Sequence, residues 1–356
     1  MRTNLSSQIS LNHVSPRYYK PENAVERSVL TRLEKIPTDI FETIEEGVRR
    51  IADEVAAKIQ ERQREGKFCT LAIGTGTSLR PLFTELVRRH KDEGLSFRNV
   101  VVFNLYEFYP LTEGNGSTFG QLNSLFLSQT DIDRQNVFTI DGSIPQNAIS
   151  EHCRLYEQRI QTFGGIDIVL MGIGREGNIG MNEPGSHASS PTRLILLDAT
   201  SRSEAARNWG VDNLPPCSIT MGVQTILSAR KIYLLTWGED RADIIQKAVE
   251  ENVNDTLPAS FLQLHNNVNV CIDLAAASHL TRIQRPWLVT SCEWNDKLIR
   301  SAIVWLCTLL NKPILKLTNK DYNENGLSEL LALYGSAYNV NIKVFNDLQH
   351  TITGWP

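Results

Sequence analysis

The amino-acid sequence predicts an α/β fold of Rossmann-like type, in which a mostly parallel sheet is covered by helices on both faces. Short apolar segments alternate with longer segments of helical periodicity between residues 38 and 272, a pattern typical of parallel strands joined by helices. The segment 166–171 is apolar at nearly every position, as expected of a strand buried on both faces. Glycine-rich turns follow two of the strands, at 74–78 and 172–180, where open α/β sheets place their ligands.

Hydrophobic periodicity, together with the glycines and prolines that interrupt it, predicts the individual elements. Thr38 is predicted to cap a helix whose apolar stripe runs from Ile40 to Ile59, with Gly66 after its end. The other predicted helices of this region lie near residues 79–90, 121–127, 145–163, 203–209 and 241–249. The predicted strands are 69–73, 100–103, 166–171, 218–221, 231–236 and 268–272.

The chain is predicted to have three parts. Residues 1–37 are polar and interrupted by prolines, and are predicted to form an N-terminal arm laid over the main domain. Residues 38–284 are the main α/β domain. Residues 285–356 are predicted to form a small βαβαβ unit, because the alternation restarts after Pro286. Its predicted strands are 287–290, 314–317 and 342–345, and its predicted helices are 296–310 and 327–334.

Composition excludes several classes of protein. The 356 residues include 41% hydrophobic and 21% charged residues with a net charge of −4, which is ordinary for a globular protein and gives no support for nucleic-acid binding. The six cysteines form no CxxC pair, and the N-terminus has no apolar leader, so a soluble cytoplasmic protein with reduced thiols and no membrane segment is expected. His187 and His265 lack metal-ligand spacing, so no metal is predicted.

Two loops that follow predicted strands carry candidate binding and catalytic residues. Thr75, Gly76, Thr77 and Ser78 lie between a strand and a helix, an arrangement that suits a phosphate because helix N-termini present free N–H groups. The turn matches neither the Walker pattern nor GxGxxG, and a plain tight turn is the alternative. Glu107 follows the strand 100–103 among aromatic residues, which favours a raised pKa and an acid or base role. The alternative is a solvated or salt-bridged loop acid.

A third loop, at 172–184, has four glycines, two carboxylates and two amides. Glu176 and Glu183 are seven residues apart, and paired carboxylates can divide acid and base roles between them. Asn178 and Asn182 can donate and accept hydrogen bonds but cannot titrate. The composition of this loop indicates a functional site, with a merely structural loop as the alternative.

The three loops, in this order, resemble the glucosamine-6-phosphate deaminase (isomerase) family, whose fold is shared with 6-phosphogluconolactonase and ribose-5-phosphate isomerase. The resemblance covers roughly residues 38–282. The motifs that carry it are Val102-Phe103-Asn104, Gly172-Ile173-Gly174, Asn182-Glu183-Pro184, Thr192-Arg193, Thr220-Met221-Gly222-Val223 and Phe261-Leu262-Gln263-Leu264-His265. The flanking segments 1–37 and 285–356 look similar to parts of a long bacterial form of the family, in which a deacetylase-like domain follows that is absent from this sequence, so a longer parent protein is expected.

The resemblance implies a reaction of amino-sugar catabolism, for which it implies neither a cofactor nor a metal. Family enzymes open the ring of glucosamine 6-phosphate, move a proton between C2 and C1 and release ammonia to give fructose 6-phosphate. The implied partner is therefore a sugar phosphate, and a homo-oligomer is expected. The implied phosphate ligands are Thr75, Gly76, Thr77, Ser78, Arg207 and Arg241. An allosteric sugar-phosphate site is implied near Ser186 and Arg193, where Ile195 replaces a family lysine.

The resemblance also assigns the candidate catalytic positions. Tyr106 stands where the family has its proton-shuttling aspartate, and Glu107 takes the next acidic position. Asn178 replaces the ring-opening histidine, while Glu176 and Glu183 match the acidic residues that orient that histidine. A tyrosine with a pKa near 10 is a poor base at neutral pH, and an asparagine transfers no proton.

Three hypotheses on function follow. In the first, the chain is a deaminase in which Glu107 has taken over proton transfer and Glu183 or water assists ring opening. In the second, it is a catalytically impaired sugar-phosphate-binding or regulatory homologue. In the third, it performs a related amino-sugar-phosphate reaction that needs no ring-opening histidine. A lactonase is disfavoured because the Asn182-Glu183-Pro184 context follows the deaminase pattern.

Overall fold

The computed structural model describes residues 14–111, 116–209 and 214–353. The described chain divides into two compact units. The first unit is Glu34–His279, and the second combines Val14–Leu33 with the chain from Leu280 onward. Within the described residues, no helix has the length and the apolar character needed to cross a membrane.

The strands, numbered in chain order, are β1 (Thr38–Phe41), β2 (Cys69–Ile73), β3 (Val100–Asn104), β4 (Tyr106–Tyr109), β5 (Val137–Phe138), β6 (Ile168–Met171), β7 (Arg193–Leu196), β8 (Cys217–Thr220), β9 (Lys231–Thr236) and β10 (Val268–Asp273). The α-helices are α1 (Ala24–Leu30), α2 (Ile44–Arg64), α3 (Arg80–Glu93), α4 (Thr118–Leu125), α5 (Ile149–Thr162), α6 (Ala199–Trp209), α7 (Val223–Leu227), α8 (Ala242–Glu250), α9 (Thr281–Gln284), α10 (Asp296–Leu310), α11 (Asn319–Glu324), α12 (Ser328–Tyr334) and α13 (Ala337–Thr353). Short 3₁₀ turns include Thr77–Leu79, Glu239–Arg241 and Pro258–Leu264.

A seven-stranded parallel sheet forms the centre of the first unit, with the order β1-β10-β9-β6-β2-β3-β5. The predicted α/β class is thereby confirmed. From β2 the chain first extends the sheet through β3 and β5, and then returns to the other side of β2 with β6, β9 and β10. Strand order therefore reverses between β2 and β6, and the crevice beyond their carboxyl ends is the expected ligand position.

One face of the sheet is covered by α2 and α3, whose apolar stripes explain why these helices form where they do. Val48, Ile51, Val55 and Ile59 recur at helical spacing and pack with Leu82, Phe83 and Leu86 of α3 against the strands. The central strands β2 and β3 are buried at every residue, as a parallel sheet covered on both faces requires.

The first predicted helix begins later than expected. Thr38 does not cap it, because residues 38–41 form β1, which pairs in parallel with β10. Burial in β1 alternates, with Thr38 and Ile40 inside, the two-residue period of a strand. The side chain of Thr43 caps α2 instead by accepting a hydrogen bond from the N–H of Glu46 at 3.1 Å.

A second sheet has three antiparallel strands in the order β4-β8-β7. Only Leu105 separates β4 from β3, so the chain passes directly from the main sheet into the small one. Since β4 begins at the carboxyl edge of the main sheet, its first residue, Tyr106, lies beside the expected ligand position.

The predicted βαβαβ unit at 285–356 is wrong, because the described part of this region contains helices and no strand. The predicted strand 342–345 lies inside α13, where Val340, Val344 and Leu348 recur every four residues and join a helical core. The predicted strands 287–290 and 314–317 coincide with two 3₁₀ turns. The first turn begins at Pro286, and the second begins at Ile314, directly after Pro313.

The predicted N-terminal arm also differs from the structure. Residues 14–33, which include α1, belong to the second unit rather than to the main domain that they were predicted to cover. Residues 1–13 lie outside the described residues.

Candidate active site

A cavity lies at the carboxyl edge of the main sheet, at the point where the strand order reverses. It is lined by the loops after β2, β6 and β9, by the start of β4 and by α6. The structure therefore brings together the turn at 74–78, Tyr106, Asn178 and Arg241, which lie far apart in the sequence.

The turn after β2 supplies backbone groups. Gly76, Thr77 and Ser78 line the cavity, and the 3₁₀ turn Thr77–Leu79 leads directly into α3. A helix start leaves its first N–H groups without internal acceptors, and no residue of the described chain accepts a hydrogen bond from the N–H of Thr77 or Ser78. These groups, with the two hydroxyls, can hold an anion.

Thr75 is buried behind this turn, and it contacts Tyr106. The hydroxyl of Thr75 donates to the hydroxyl of Tyr106 at 3.3 Å. Burial raises the pKa of Tyr106, and the hydrogen bonds from Thr75 only partly oppose that shift. Tyr106 therefore remains protonated at neutral pH, so that it can donate a hydrogen bond into the cavity but cannot act as a base.

A chain of hydrogen bonds leads from the cavity to a buried carboxylate. The Nδ2 of Asn178 donates to the hydroxyl of Ser201 at 3.2 Å, and that hydroxyl donates to Oε2 of Glu183 at 3.0 Å. Burial raises the pKa of Glu183, and the hydrogen bonds from Ser201 and Asp198 oppose the shift. Glu183 itself does not line the cavity, but its hydrogen-bond partner Ser201 does.

Asn178 is held tightly in the loop after β6. A Cβ built on Gly174 would lie 1.9 Å from Oδ1 of Asn178, so a glycine is required for this amide to fit. Oδ1 is buried and has no hydrogen-bond partner among the described residues, although buried acceptors normally have one. The amide thus presents an unpaired acceptor close to the cavity, but no group that titrates.

Glu107, a predicted acid or base, lies outside the cavity. Its carboxylate accepts hydrogen bonds from the N–H groups of Phe108 and Thr118, both at 2.9 Å, from the hydroxyl of Ser117 at 2.7 Å and from the N–H of Phe119 at 3.1 Å. It is 1% exposed. Glu107 therefore anchors the N-terminus of α4, where a negative charge is favourable, and its lone pairs are engaged away from the cavity.

Arg241 reaches the cavity from the turn after β9, where it is one of four charged side chains in a network. Its guanidinium pairs with Glu204 of α6 and with Asp240 at 3.1 Å. Arg175 also approaches both carboxylates, Glu204 at 3.6 Å and Asp240 at 3.3 Å. Glu204 and Arg241 line the cavity, so the cation of the predicted phosphate site already has an internal partner.

The remaining predicted residues lie elsewhere. Arg207 is exposed on α6 and does not line the cavity, and Glu176 is exposed at the tip of its loop. Ser186 and Arg193 do meet, since Arg193 donates to the hydroxyl of Ser186 at 2.9 Å and to Oδ1 of Asn182 at 2.8 Å. The pair lies outside the cavity lining.

Sequence reasoning assigned Arg207 to the site but missed the residues of α6 that line the cavity. These are Ser201, Glu204, Ala205 and Asn208. Their positions follow the i, i+3, i+4, i+7 pattern of one helix face, which could have identified them. Within the described residues there is no group of three or more His, Cys, Asp or Glu side chains placed to hold a metal.

Fold and cleft together define a Rossmann-like α/β protein with its cavity at the reversal of strand order. The family model for glucosamine-6-phosphate isomerases and 6-phosphogluconolactonases matches residues 42–271. This chain belongs to that family.

Individual relatives agree with this membership. A glucosamine-6-phosphate deaminase-like protein of Bacteroides thetaiotaomicron is 67% identical over 358 residues, covering 100% of this chain and 54% of the relative. The chain thus spans only about half the length of that relative. Glucosamine-6-phosphate deaminase 1 of Bacillus subtilis is 36% identical over 228 residues, covering 63% of this chain and 93% of the relative. A solved structure of a monomeric glucosamine-6-phosphate deaminase is similar with a TM-score of 0.65 and 34% identity, covering 68% of this chain and 100% of its own.

Proposed function

We propose that this chain binds an amino-sugar phosphate, such as glucosamine 6-phosphate, in the cavity and deaminates it far more slowly than its relatives do. One observation carries the proposal. The positions that the resemblance assigns to proton transfer are held by Tyr106 and Asn178, of which the first stays protonated and the second cannot titrate. The protein is then the impaired, sugar-phosphate-binding homologue among the three hypotheses.

The ligand class is supported by the turn after β2 and by the relatives. Helix N-termini with free N–H groups bind phosphate, and Thr77 and Ser78 line the cavity with N–H groups that have no backbone acceptor within the described chain. Arg241 also lines the cavity, and a guanidinium can pair with phosphate oxygens in a bidentate manner. The names of the relatives at 67% and 36% identity both refer to glucosamine 6-phosphate.

The position of Glu107 weighs against an efficient deaminase. If Glu107 replaced the proton-shuttling aspartate, its carboxylate would have to leave three hydrogen-bond donors at the start of α4 and the N–H of Phe108 in β4. Loss of one general acid or base typically lowers a rate by about 10²–10⁴-fold. In this chain the resemblance assigns two such positions to residues that cannot replace them, Tyr106 and Asn178. The two losses in rate are not additive, so they cannot simply be multiplied.

The proposal is tested by calorimetry with glucosamine 6-phosphate and by an ammonia-release assay on the same preparation. We expect binding, no ammonia release at the rate of a family deaminase, and weaker binding by Arg241→Gln. Arg154→Gln is the matched control, because Arg154 carries the same charge but is exposed on α5 and paired with Glu151. Absence of binding would overturn the ligand assignment, while rapid ammonia release would overturn the proposed impairment.

A related amino-sugar-phosphate reaction is the second candidate, and the unpaired Oδ1 of Asn178 favours it as an acceptor for a substrate hydroxyl or ammonium. Chromatography of the products formed from glucosamine 6-phosphate tests for it.

A cytoplasmic location remains our proposal, supported by six unpaired cysteines. The homo-oligomer likewise remains a prediction, and one similar deaminase structure is described as monomeric.

A further inference from the structure

We propose that Glu204 determines how tightly this site holds a phosphate, because its carboxylate competes with the ligand for Arg241. This inference rests on the proposed function, since it concerns the phosphate end of the same cavity. Glu204 thereby sets the phosphate affinity of a site whose other proposed phosphate contacts are backbone N–H and hydroxyl groups.

Glu204 is firmly placed for this competition. One carboxylate oxygen pairs with Nη2 of Arg241, and the other accepts the backbone N–H of Arg175 at 3.1 Å. Only 13% of the Glu204 side chain and 12% of the Arg241 side chain are exposed. A charge-assisted pair that is largely shielded from water is stronger than a surface ion pair. A phosphate must therefore displace the carboxylate of Glu204 to pair with Arg241.

The charges around the cavity lead to the same conclusion. Arg175 and Arg241 are the two cations of the network, and Glu204 and Asp240 are its two anions. The network is therefore neutral and offers no net attraction to a doubly charged phosphate. A carboxylate left in the cavity also repels the phosphate, and like charges brought together at a binding site weaken binding.

The competition has a structural consequence for α6. Glu204 links this helix to the glycine-rich loop through Arg175 and to the turn after β9 through Arg241. If a phosphate takes Arg241, the second of these links is broken while the first can persist. Ligand binding is thereby coupled to the attachment of a helix that also carries Ser201 and Asn208 to the cavity.

The test is a double-mutant cycle on the full chain, with inorganic phosphate and glucosamine 6-phosphate as probes in calorimetry. The variants are Glu204→Gln, Arg241→Gln, their combination, and Glu239→Gln as a charge-matched control on the same turn as Arg241. Removing a charge-assisted competitor should tighten phosphate binding by about tenfold or more in Glu204→Gln. The control should change it by less than about twofold, because Glu239 is absent from the cavity lining.

The cycle separates competition from general repulsion. If Glu204 acts through Arg241, the gain from Glu204→Gln should shrink at least about fivefold in the Arg241→Gln background. Equal gains in the two backgrounds, or no gain in the single variant, would overturn the inference while leaving the proposed function standing. Absence of phosphate and sugar-phosphate binding in every variant would overturn both.

Glu204→Asp is a further control, which distinguishes loss of the competition from a disturbance of α6 by the substitution. The shorter carboxylate keeps the charge but draws back from Arg241, so phosphate binding should tighten by less than in Glu204→Gln and by more than in the control. Thermal unfolding of each variant checks that the fold is retained. Binding by Glu204→Asp that is weaker than in the unaltered chain would contradict the competition.

Discussion

At the residue scale, the proposed impairment centres on Asn178. Its amide lies over Gly174 and connects, through Ser201, to the buried carboxylate of Glu183. A histidine in this place could pass a proton along that chain, whereas an amide only donates and accepts hydrogen bonds. The supporting groups thus remain around a residue that cannot titrate.

Glu107→Gln is expected to destabilise the fold and to leave ligand binding unchanged. The amide nitrogen of glutamine would face N–H donors at the start of α4, so at least one buried donor loses its acceptor. Such a loss costs about 1–3 kcal/mol in free energy of unfolding, measurable by urea denaturation. Glu151→Gln on the exposed face of α5 is the control. Unchanged stability with altered ligand chemistry would instead indicate that Glu107 acts on the ligand.

Glu183 should make the stability depend on pH. Burial holds its folded-state pKa above the ordinary value of 4.5, so the folded state keeps this proton to a higher pH than the unfolded chain does. The stabilising contribution is full below the unfolded pKa and is lost as pH rises through the folded pKa. The free energy of unfolding of the unaltered chain, minus that of Glu183→Gln, should therefore fall as pH rises from about 4 and then level off. A difference that is constant or rises with pH would contradict this assignment.

At the scale of elements, the glycine-rich loop depends on backbone shapes that the sequence only hints at. Gly177 has a φ of 77°, and a Cβ there would lie 2.1 Å from Cδ1 of Leu257. Gly66 has a φ of 66° but open space around it. Gly66→Ala should cost about 1–2 kcal/mol for the left-handed backbone alone, and Gly177→Ala about 1–3 kcal/mol more for the clash. Chemical denaturation of the two variants measures the difference, and equal losses would show that the contact with Leu257 relaxes freely.

Elements fixed by local patterns were predictable, and those fixed by tertiary pairing were not. An apolar run between polar residues predicts β9, and the predicted and observed bounds of this strand agree. In contrast, the residues of β1 are also compatible with the start of a helix, because Ile40 and Phe41 fit the apolar stripe of α2. Short apolar runs are compatible with strand or helix, which explains the error in the C-terminal unit, where 342–345 lies within α13.

The same distinction holds for the candidate site. The loops after β2 and β6 could be predicted, because ligands bind beyond the carboxyl ends of parallel strands. The direction of the Glu107 side chain could not, since it depends on donors from the start of α4. The pairing of Glu204 with Arg241 also escaped prediction, because 37 residues separate the two in sequence.

At the scale of the molecule, the ten strands of the described residues and the residues that line the cavity lie within Glu34–His279. A fragment with these bounds is expected to unfold cooperatively in urea and to bind glucosamine 6-phosphate as tightly as the full chain, because it contains its own core. Circular dichroism and calorimetry on the fragment provide the measurement. A fragment that fails to fold would show that the first unit needs the removed residues, 1–33 or 280–356, for its stability.

The proposed impairment is tested most directly by ammonia release from saturating glucosamine 6-phosphate, on a sample in which calorimetry has just shown that the ligand binds. We expect binding and a rate at least about 10²-fold below that of a family deaminase assayed beside it. Full-rate ammonia release from the unaltered chain would contradict it, because Tyr106 and Asn178 would then stand in a site that transfers protons without them.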